Sequence, residues 1–250
     1  EREKLGLSSY EKRNIIGSPR DSEYSPVVLA LNTSRHLNTK DITQVLKYEI
    51  TWEMKKNAGV WRGLLTGREG EEGITFAKDC SRIPRCRFVQ ENLQSKLLDV
   101  GVSYQLKSLP IDTVNERKMI KGEMKLWAML KYKAIVIIEG NDVASGLKWA
   151  LYSRSVIVMA PPTKTSFAME EYLKPWVHYV PLNSDMSNAE EMIKWIVEND
   201  EKARRISERA TLFIHDLLFH ENSAAENEFI QKEILKRYMN FFVEIDGTNK

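Results

Sequence analysis

The 250-residue sequence is sparse in several features that mark particular protein classes. Its 2 cysteines and 4 histidines do not fall at the close spacing of a zinc-binding motif. No apolar run approaches the ~18 residues that a membrane-spanning helix needs. The 37 basic and 35 acidic residues leave a net charge of only +2. This argues against a nucleic-acid-binding domain, because such domains concentrate basic residues on one face. What remains is an ordinary globular composition, with 42% hydrophobic and 29% charged residues.

Cys80 and Cys86 lie close together in the basic segment DCSRIPRCRF. This spacing is compatible with a local disulfide and with two free thiols, and we expect free thiols in a reducing compartment. No signal peptide is visible in the first residues, EREKLGLSSY. The predicted location is therefore the cytoplasm, or the endoplasmic reticulum lumen if a signal has been trimmed.

The second half of the chain alternates apolar strands with helices. The runs KAIVIIEG (133–140) and SVIVMAP (155–161) have strand length, and WVHYVPL (176–182) predicts a third strand. Strands that are apolar throughout and separated by helices predict a parallel sheet covered on both faces. The first half is similar but less regular, so we predict an α/β fold of two doubly wound halves around a cleft. Ligands of such sheets bind beyond the carboxyl ends of the strands.

The domain boundary is predicted between residues 112 and 113, giving domains 1–112 and 113–250. Ser187 and Glu190 form an S-x-x-E capping box at the start of a helix. The last helix, 224–245, is expected to pack back across the first domain. Other elements predicted from the pattern include strands at 26–34, 74–79 and 102–110 and helices at 41–57, 87–101, 115–133 and 143–153.

The strongest local signal for a ligand site is the segment IVIIEGNDVASGLKWAL (135–151), where an apolar strand meets a helix that starts with small residues. Small side chains let a ligand approach the backbone, and the free N–H groups of a helix's first turn favour an anion such as a diphosphate. Lys148 adds positive charge. The alternative is that the small residues only allow the helix to pack tightly on its strand. The pattern is not the GxGxxG motif of dinucleotide-binding folds.

Two further groups of residues are candidates for a site. Arginines cluster near predicted strand ends, and their guanidinium groups pair bidentately with phosphate. A solvated basic loop is the commoner explanation of such a cluster. Arg20 and Asp21, with Glu23, precede the first predicted strand. A carboxylate there is usually a turn residue, or a general base if it faces a cleft.

Two longer segments resemble glycosyltransferase family 90, which includes protein O-glucosyltransferases and fungal capsule xylosyltransferases. They are EGNDVASGLKWALYSRSVIVM (139–159) and LKPWVHYVPLNSDMSNAEEMIKWIVENDEKARRISERA (173–210). The family typically carries a strand ending in Asp-Gly, then L-x-P-W-x-H-Y-x-P-V, S-D-L-S and N-D-E-x-A. The match covers about residues 133–215. The first half resembles the family more weakly, through Trp61-Arg62-Gly63 and LALNTSR (29–35).

The resemblance implies a GT-B arrangement, in which two Rossmann-like doubly wound domains face a cleft. It implies a UDP-sugar donor, inversion at the anomeric carbon, and neither a cofactor nor a required metal. Asp21 is the nearest counterpart of the family's general base, and Glu23 is the reserve. The donor-binding residues that the resemblance implies are Arg62, Gly63, Thr66, Arg68, Ser81, Arg82, Arg85, Glu139, Gly140, Asn141, Asp142, Val143, Ala144, Ser145 and Lys148.

This chain departs from the family pattern at the turn. Family members place an arginine on the diphosphate where this chain has Gly146, and Lys148 is the nearest replacement. The resemblance implies transfer of xylose, or next glucose, from a UDP-sugar to a glycan acceptor through a β linkage. The alternatives are a protein O-glycosyltransferase and a non-catalytic protein that binds UDP-sugar or glycan. Neither nucleic acid nor a membrane span is expected. Trp176, His178 and Tyr179 are interpreted as a structural strand under the donor site.

Overall fold

The computed structural model describes residues 39–67, 80, 83–103, 118–140, 143–166 and 168–226, with the single positions 228, 229, 232, 233 and 236. In these ranges the helices are α1 (Thr39–Tyr48), α2 (Pro84–Asn92), α3 (Leu126–Met129), α4 (Leu147–Tyr152), α5 (Ala189–Glu198) and α6 (Asp200–Phe219). The strands are β1 (Lys56–Gly63), β2 (Leu98–Val102), β3 (Tyr132–Val136), β4 (Val156–Met159) and β5 (Val180–Pro181). Short 3-10 turns cover Trp52–Met54 and Glu170–Tyr172.

The five strands form one sheet in the order β2-β1-β3-β4-β5, and every pairing is parallel. The chain moves from β1 to β2 in one direction and then returns past β1 to build β3, β4 and β5. The topological switch point therefore lies between β1 and β3. In sheets of this kind ligands bind in the crevice beyond the carboxyl ends of the strands at that point. The predicted α/β fold with a parallel sheet is confirmed.

Alternate residues of the central strands face two separate hydrophobic layers. Ala134, Val136 and Val158 contribute to one layer, which α2 and α5 complete. Ile135 and Ile157 contribute to the other, which includes residues of α4 and α6. Because helices cover both faces, no position in these strands needs to be polar. This explains why β3 and β4 are continuous apolar runs in the sequence rather than alternating ones.

Tertiary pairing changes several predicted boundaries. The predicted helix 87–101 is wrong in its second half, because residues Leu98–Val102 form β2. That segment pairs with β1 from Gly59↔Leu98 to Gly63↔Val102. A short apolar stretch is ambiguous between helix and strand, and hydrogen bonding to a neighbouring strand decides between them. The predicted helix 41–57 ends earlier, at Tyr48. In the described part of the predicted helix 115–133, residues 118–119 and α3 are helical, and residues 120–125 between them are not.

Only Val180–Pro181 of the predicted strand 176–182 forms a strand, β5, and the residues before it form a turn. Trp176 has a φ of 62°, and its N–H donates to the Tyr179 carbonyl over 2.7 Å, which closes the turn. His178 Nδ1 accepts the backbone N–H of Lys174 over 3.0 Å. Burial lowers the pKa of His178, and the charges of Lys174 and Arg209 add to that effect. His178 therefore holds this turn through the hydrogen bond that its Nδ1 accepts.

The predicted capping box at the start of α5 is also wrong. The helix begins at Ala189 after Asn188, and no side chain caps its first turn. The Ser187 hydroxyl instead donates to Asp185 Oδ1 over 2.8 Å. Met186, Ser187 and Asn188 lie between Asp185 and α5, and the serine is used in the turn that they form.

Cys80 and Cys86 form a disulfide, so the prediction of free thiols is wrong. The Ile83 N–H donates to the Cys80 carbonyl over 3.1 Å, and the Cys86 N–H donates to the Ile83 carbonyl over 2.8 Å. These turns leave the two Cα atoms 5.2 Å apart, within the usual range for a disulfide. The spacing in the sequence does not show this distance, because it depends on where α2 begins.

The predicted division at residues 112 and 113 does not separate two sheets in the described part of the chain. Strands β1 and β2 precede it, yet β1 pairs directly with β3. The two-domain GT-B arrangement stays a prediction. Two predicted elements lie wholly or mostly outside the described residues, namely the strand 26–34 and the helix 224–245. Among the helices that are described, none has the length and apolar composition to cross a membrane.

Candidate active site

Three loops meet at the carboxyl edge of the sheet, next to the topological switch point. They follow β1 at residues 64–67, β3 at residues 137–140, and β4 at residues 160–166. The first two loops contain the predicted donor-binding residues Thr66, Glu139 and Gly140. The contacts among these loops show which of the three residues serve tight packing.

The loops after β1 and β3 approach each other backbone to backbone. A Cβ added to Gly67 would lie 3.1 Å from the Gly140 Cα, and Gly67 also has a φ of +92°. A Cβ added to Gly140 would lie 2.6 Å from Thr66 Oγ1 and 3.0 Å from Arg85 Cζ. A Cβ contact of 2.6 Å essentially never occurs, so a side chain at Gly140 would force Thr66 to shift. At Gly67 the positive φ disfavours a side chain, and the close Gly140 backbone adds to that effect.

Arg85, in the first turn of α2, holds the two loops together. Its Nη1 donates to the Leu64 carbonyl over 3.1 Å and to Thr66 Oγ1 over 2.7 Å. Its Nη2 donates to the Ile138 carbonyl over 2.6 Å, and its Nε reaches the Ile138 and Glu139 carbonyls. Burial lowers the pKa of Arg85 to about 10, against the opposing effect of Glu139. The guanidinium therefore keeps its positive charge at neutral pH.

Glu139 ties the loop after β3 to the loop after β4. Its carboxylate accepts the N–H groups of Thr163 over 3.0 Å and of Lys164 over 3.2 Å, and it also accepts the Thr163 hydroxyl. In the other direction, Lys164 Nζ donates to the Gly140 carbonyl over 2.9 Å. Thr163 and Lys164 were not among the predicted site residues. Their position could have been predicted from the sequence, because a polar segment directly follows the apolar strand β4, as one also follows β3.

Lys148 lies in the interior rather than at the surface of the edge. Its Nζ donates to Glu170 Oε1 over 2.6 Å, and both side chains are 2% exposed. The Ser166 N–H and hydroxyl also donate to the Glu170 carboxylate. Burial would raise the pKa of Glu170, but Lys148 and Ser166 outweigh it and hold the pKa below its ordinary value. The positive charge of Lys148 is thus already compensated, and its donor-binding role stays a prediction.

Arg62 points to a different cluster, on one face of the sheet. Its Nη2 donates to Asp99 Oδ1 over 2.7 Å, and the hydroxyl of Tyr132 donates to Asp99 Oδ2 over 2.7 Å. Lys121 Nζ lies 3.2 Å from the same carboxylate. Burial alone would raise the pKa of Asp99, but the hydrogen bonds from Arg62 and Tyr132 lower it to about 2. Arg62 therefore neutralises a carboxylate of the neighbouring strand.

The turn after Gly140 leads into a short helix. Val143 and Ala144 are buried, Ser145 is exposed, and α4 starts only at Leu147, after Gly146. The burial of Val143 and Ala144 fits the packing explanation, and their donor-binding role stays a prediction. The structure brings together Thr66, Arg85, Glu139 and Gly140, with Gly63 ending β1 nearby. The predicted residues Asp21, Glu23, Arg68, Ser81, Arg82, Asn141 and Asp142 lie outside the described residues.

Comparison with known proteins assigns the family. Residues 31–232 match the sequence profile of glycosyl transferase family 90. The chain belongs to this family. The resemblance drawn from the motifs at 139–159 and 173–210 is thereby confirmed. The matched range contains all five strands of the sheet and the three loops at its carboxyl edge.

The chain is also similar to curated proteins, among them animal and bacterial O-glucosyltransferases. The chain is 29% identical over 228 residues to protein O-glucosyltransferase 3 of Homo sapiens, covering 86% of this chain and 42% of that protein. It is 28% identical over 184 residues to O-glucosyltransferase LpsA of Dichelobacter nodosus, covering 74% and 49%. It is 48% identical over 163 residues to protein O-glucosyltransferase 1 of Bos taurus, covering 65% and 38%. The chain thus spans less than half the length of these relatives.

Proposed function

We propose that this protein transfers a sugar from a UDP-sugar to a hydroxyl group of an acceptor, with inversion at the anomeric carbon. The observation that carries this proposal is the meeting of Thr66, Arg85, Glu139 and Gly140 at the switch point of a family 90 chain. A switch point is where doubly wound sheets bind their ligands. The relatives, whose printed names are O-glucosyltransferases, support the same class of reaction.

The residues of the edge suggest a division of roles. The Arg85 guanidinium maintains the crossing of the two loops and contributes positive charge beside the donor. The Glu139 carboxylate, held by the loop after β4, is suited to accept hydrogen bonds from sugar or ribose hydroxyls. Gly140 allows the close approach of Thr66 and Arg85 that shapes this edge, because it has no side chain.

The proposed reaction is a single displacement. A carboxylate takes the proton of the acceptor hydroxyl, whose oxygen then attacks the anomeric carbon of the donor. The bond from that carbon to the diphosphate oxygen breaks, and UDP leaves with the electron pair. Asp21 is the proposed base and lies outside the described residues. A GT-B cleft between two domains, and independence from metal ions, belong to the same proposal.

The donor sugar is proposed to be glucose, ahead of xylose. The sequence alone favoured xylose, but the relatives named above are all called glucosyltransferases. The acceptor is a glycan or a polypeptide hydroxyl. The Cys80–Cys86 disulfide supports an oxidising compartment such as the endoplasmic reticulum lumen over the cytoplasm, because disulfides persist in such compartments.

The first test is thermal unfolding with UDP, UDP-glucose, UDP-xylose and GDP-glucose, each with and without EDTA. A ligand at ~100 times its dissociation constant stabilises the folded protein by about 2.7 kcal/mol. We expect a stabilisation by UDP and UDP-glucose that survives EDTA, and none by the guanosine nucleotide. Stabilisation by no uridine nucleotide would contradict the proposal.

The second test follows release of UDP with oligosaccharide and polypeptide acceptors offered separately. Transfer to one of them would identify the acceptor class. Tight binding of UDP-glucose without transfer to either acceptor would favour the alternative of a non-catalytic binding protein. An Asp21→Asn variant that binds the donor but no longer transfers sugar would support Asp21 as the base.

A further inference from the structure

Among the described residues, Arg85, Lys148 and Lys164 differ in how their positive charge is already used. Arg85 points into the protein, and its N–H groups donate to main-chain carbonyls and to Thr66. Lys148 is compensated by the buried carboxylate of Glu170. Lys164 is partly exposed, and its ammonium donates a hydrogen bond to the carbonyl oxygen of Gly140 over 2.9 Å. No ion pair joins Lys164 to a carboxylate of the described residues. Unlike Lys148, Lys164 thus donates to a carbonyl oxygen, which carries only a partial negative charge.

The position of Lys164 is set by the loop itself. Glu139 accepts the backbone N–H of Lys164 over 3.2 Å and that of Thr163 over 3.0 Å. The side chain then crosses from the loop after β4 to the loop after β3, where it reaches the Gly140 carbonyl. The cation is thus held in place before any ligand arrives.

We propose that Lys164 binds the diphosphate of the nucleotide-sugar donor and stabilises the charge that develops on the leaving UDP. This inference rests on the proposed function. When the bond to the anomeric carbon breaks, the diphosphate oxygen keeps the electron pair and gains negative charge. A cation held at that point lowers the barrier, because it interacts more strongly with the transition state than with the bound donor. Glu139 acts through Lys164 as a positioning residue, in addition to any contact with hydroxyl groups.

The test compares the binding of UDP with the binding of uridine, which lacks phosphate. Isothermal titration would be run on the wild type and on Lys164→Met, Lys164→Arg and Lys174→Met. Lys174 is an exposed lysine that precedes β5 and so lies toward the opposite edge of the sheet, which makes it the matched control. Unfolding of each variant without ligand checks that it is folded.

We expect Lys164→Met to bind UDP about 10- to 100-fold more weakly, the range for loss of a charge-assisted hydrogen bond. Its affinity for uridine should stay at the wild-type value. Lys164→Arg should retain most of the UDP affinity, and Lys174→Met all of it. The affinity of the wild type for UDP should also fall more steeply with added salt than that of Lys164→Met.

Two outcomes would overturn this inference alone. Unchanged UDP affinity in Lys164→Met would show that the lysine does not contact the diphosphate. Equal losses for UDP and uridine would show that it shapes the pocket rather than binding phosphate. If the folded wild type binds no UDP at all, the proposed function itself fails, and the assignment of Lys164 fails with it.

Discussion

The ammonium of Lys148 and the carboxylate of Glu170 form an ion pair in the interior, with 2.6 Å between Nζ and Oε1 and each side chain 2% exposed. The pair connects α4, which follows the turn at Glu139-Gly140, to the segment that precedes β5. It therefore anchors the element directly behind the candidate active site.

Removing one partner of this pair should destabilise the protein strongly. Lys148→Met leaves Glu170 buried without its cation, and such a change typically costs about 3–5 kcal/mol. The double variant Lys148→Met/Glu170→Met should recover most of the loss, since it buries no uncompensated charge. Urea unfolding of the two single variants and the double variant measures this coupling. A Lys148→Met protein as stable as the wild type would contradict the buried pairing.

The crossing of the loops after β1 and β3 should not tolerate a side chain at Gly140. An alanine there would place its Cβ 2.6 Å from Thr66 Oγ1 and 3.0 Å from Arg85 Cζ. We expect Gly140→Ala to lose about 1–3 kcal/mol of stability, as overpacked sites do, and to bind UDP more weakly.

Gly146→Ala is the matched control for that change. Its Cβ would meet only Trp149, at 3.3 Å, and the backbone there is already helical with a φ of −74°. Its stability should stay within about 1 kcal/mol of the wild type, as for exchanges at the start of a helix. Equal effects of the two alanines in chemical unfolding would argue against the loop crossing.

Lowering the pH should reduce the free energy of unfolding, because Asp99 becomes protonated. Its folded-state pKa of about 2 lies below the ordinary value of 3.8. The ionised carboxylate therefore contributes stability at pH values above about 4, and that contribution is lost as the pH falls from about 4 toward 2. Asp99→Asn should lack this part of the pH dependence. Urea midpoints measured between pH 2 and pH 7 would show it, and parallel curves for both proteins would refute it.

Reduction should destabilise the protein through the Cys80–Cys86 disulfide. A disulfide that closes so short a loop contributes about 2 kcal/mol in the chain-entropy account. For a chain of this size we expect dithiothreitol to lower the melting temperature by about 4–8 °C. The double variant Cys80→Ser/Cys86→Ser should show the lower value with or without reductant. If dithiothreitol leaves the melting temperature of the wild type unchanged, the disulfide does not stabilise the fold.

Secondary structure was predicted correctly where a local sequence pattern is compatible with only one kind of element. The apolar runs at 133–140 and 155–161 indicated β3 and β4, because strands covered on both faces have no polar positions. The prediction failed at Leu98–Val102, where a short apolar stretch suits a helix end as well as a strand. It failed again at Trp176, whose positive φ depends on contacts with a later residue.

The sequence by itself determined the α/β class, the parallel sheet, the family, and the place of a turn at Glu139-Gly140. These follow from apolar periodicity and from motifs that are contiguous in the chain. Only the tertiary structure decided which predicted charges are already paired. Arg62 meets Asp99 across 37 positions, Arg85 meets Ile138 across 53, and Lys148 meets Glu170 across 22. No local pattern reports such partners, because folding brings them together from separate elements.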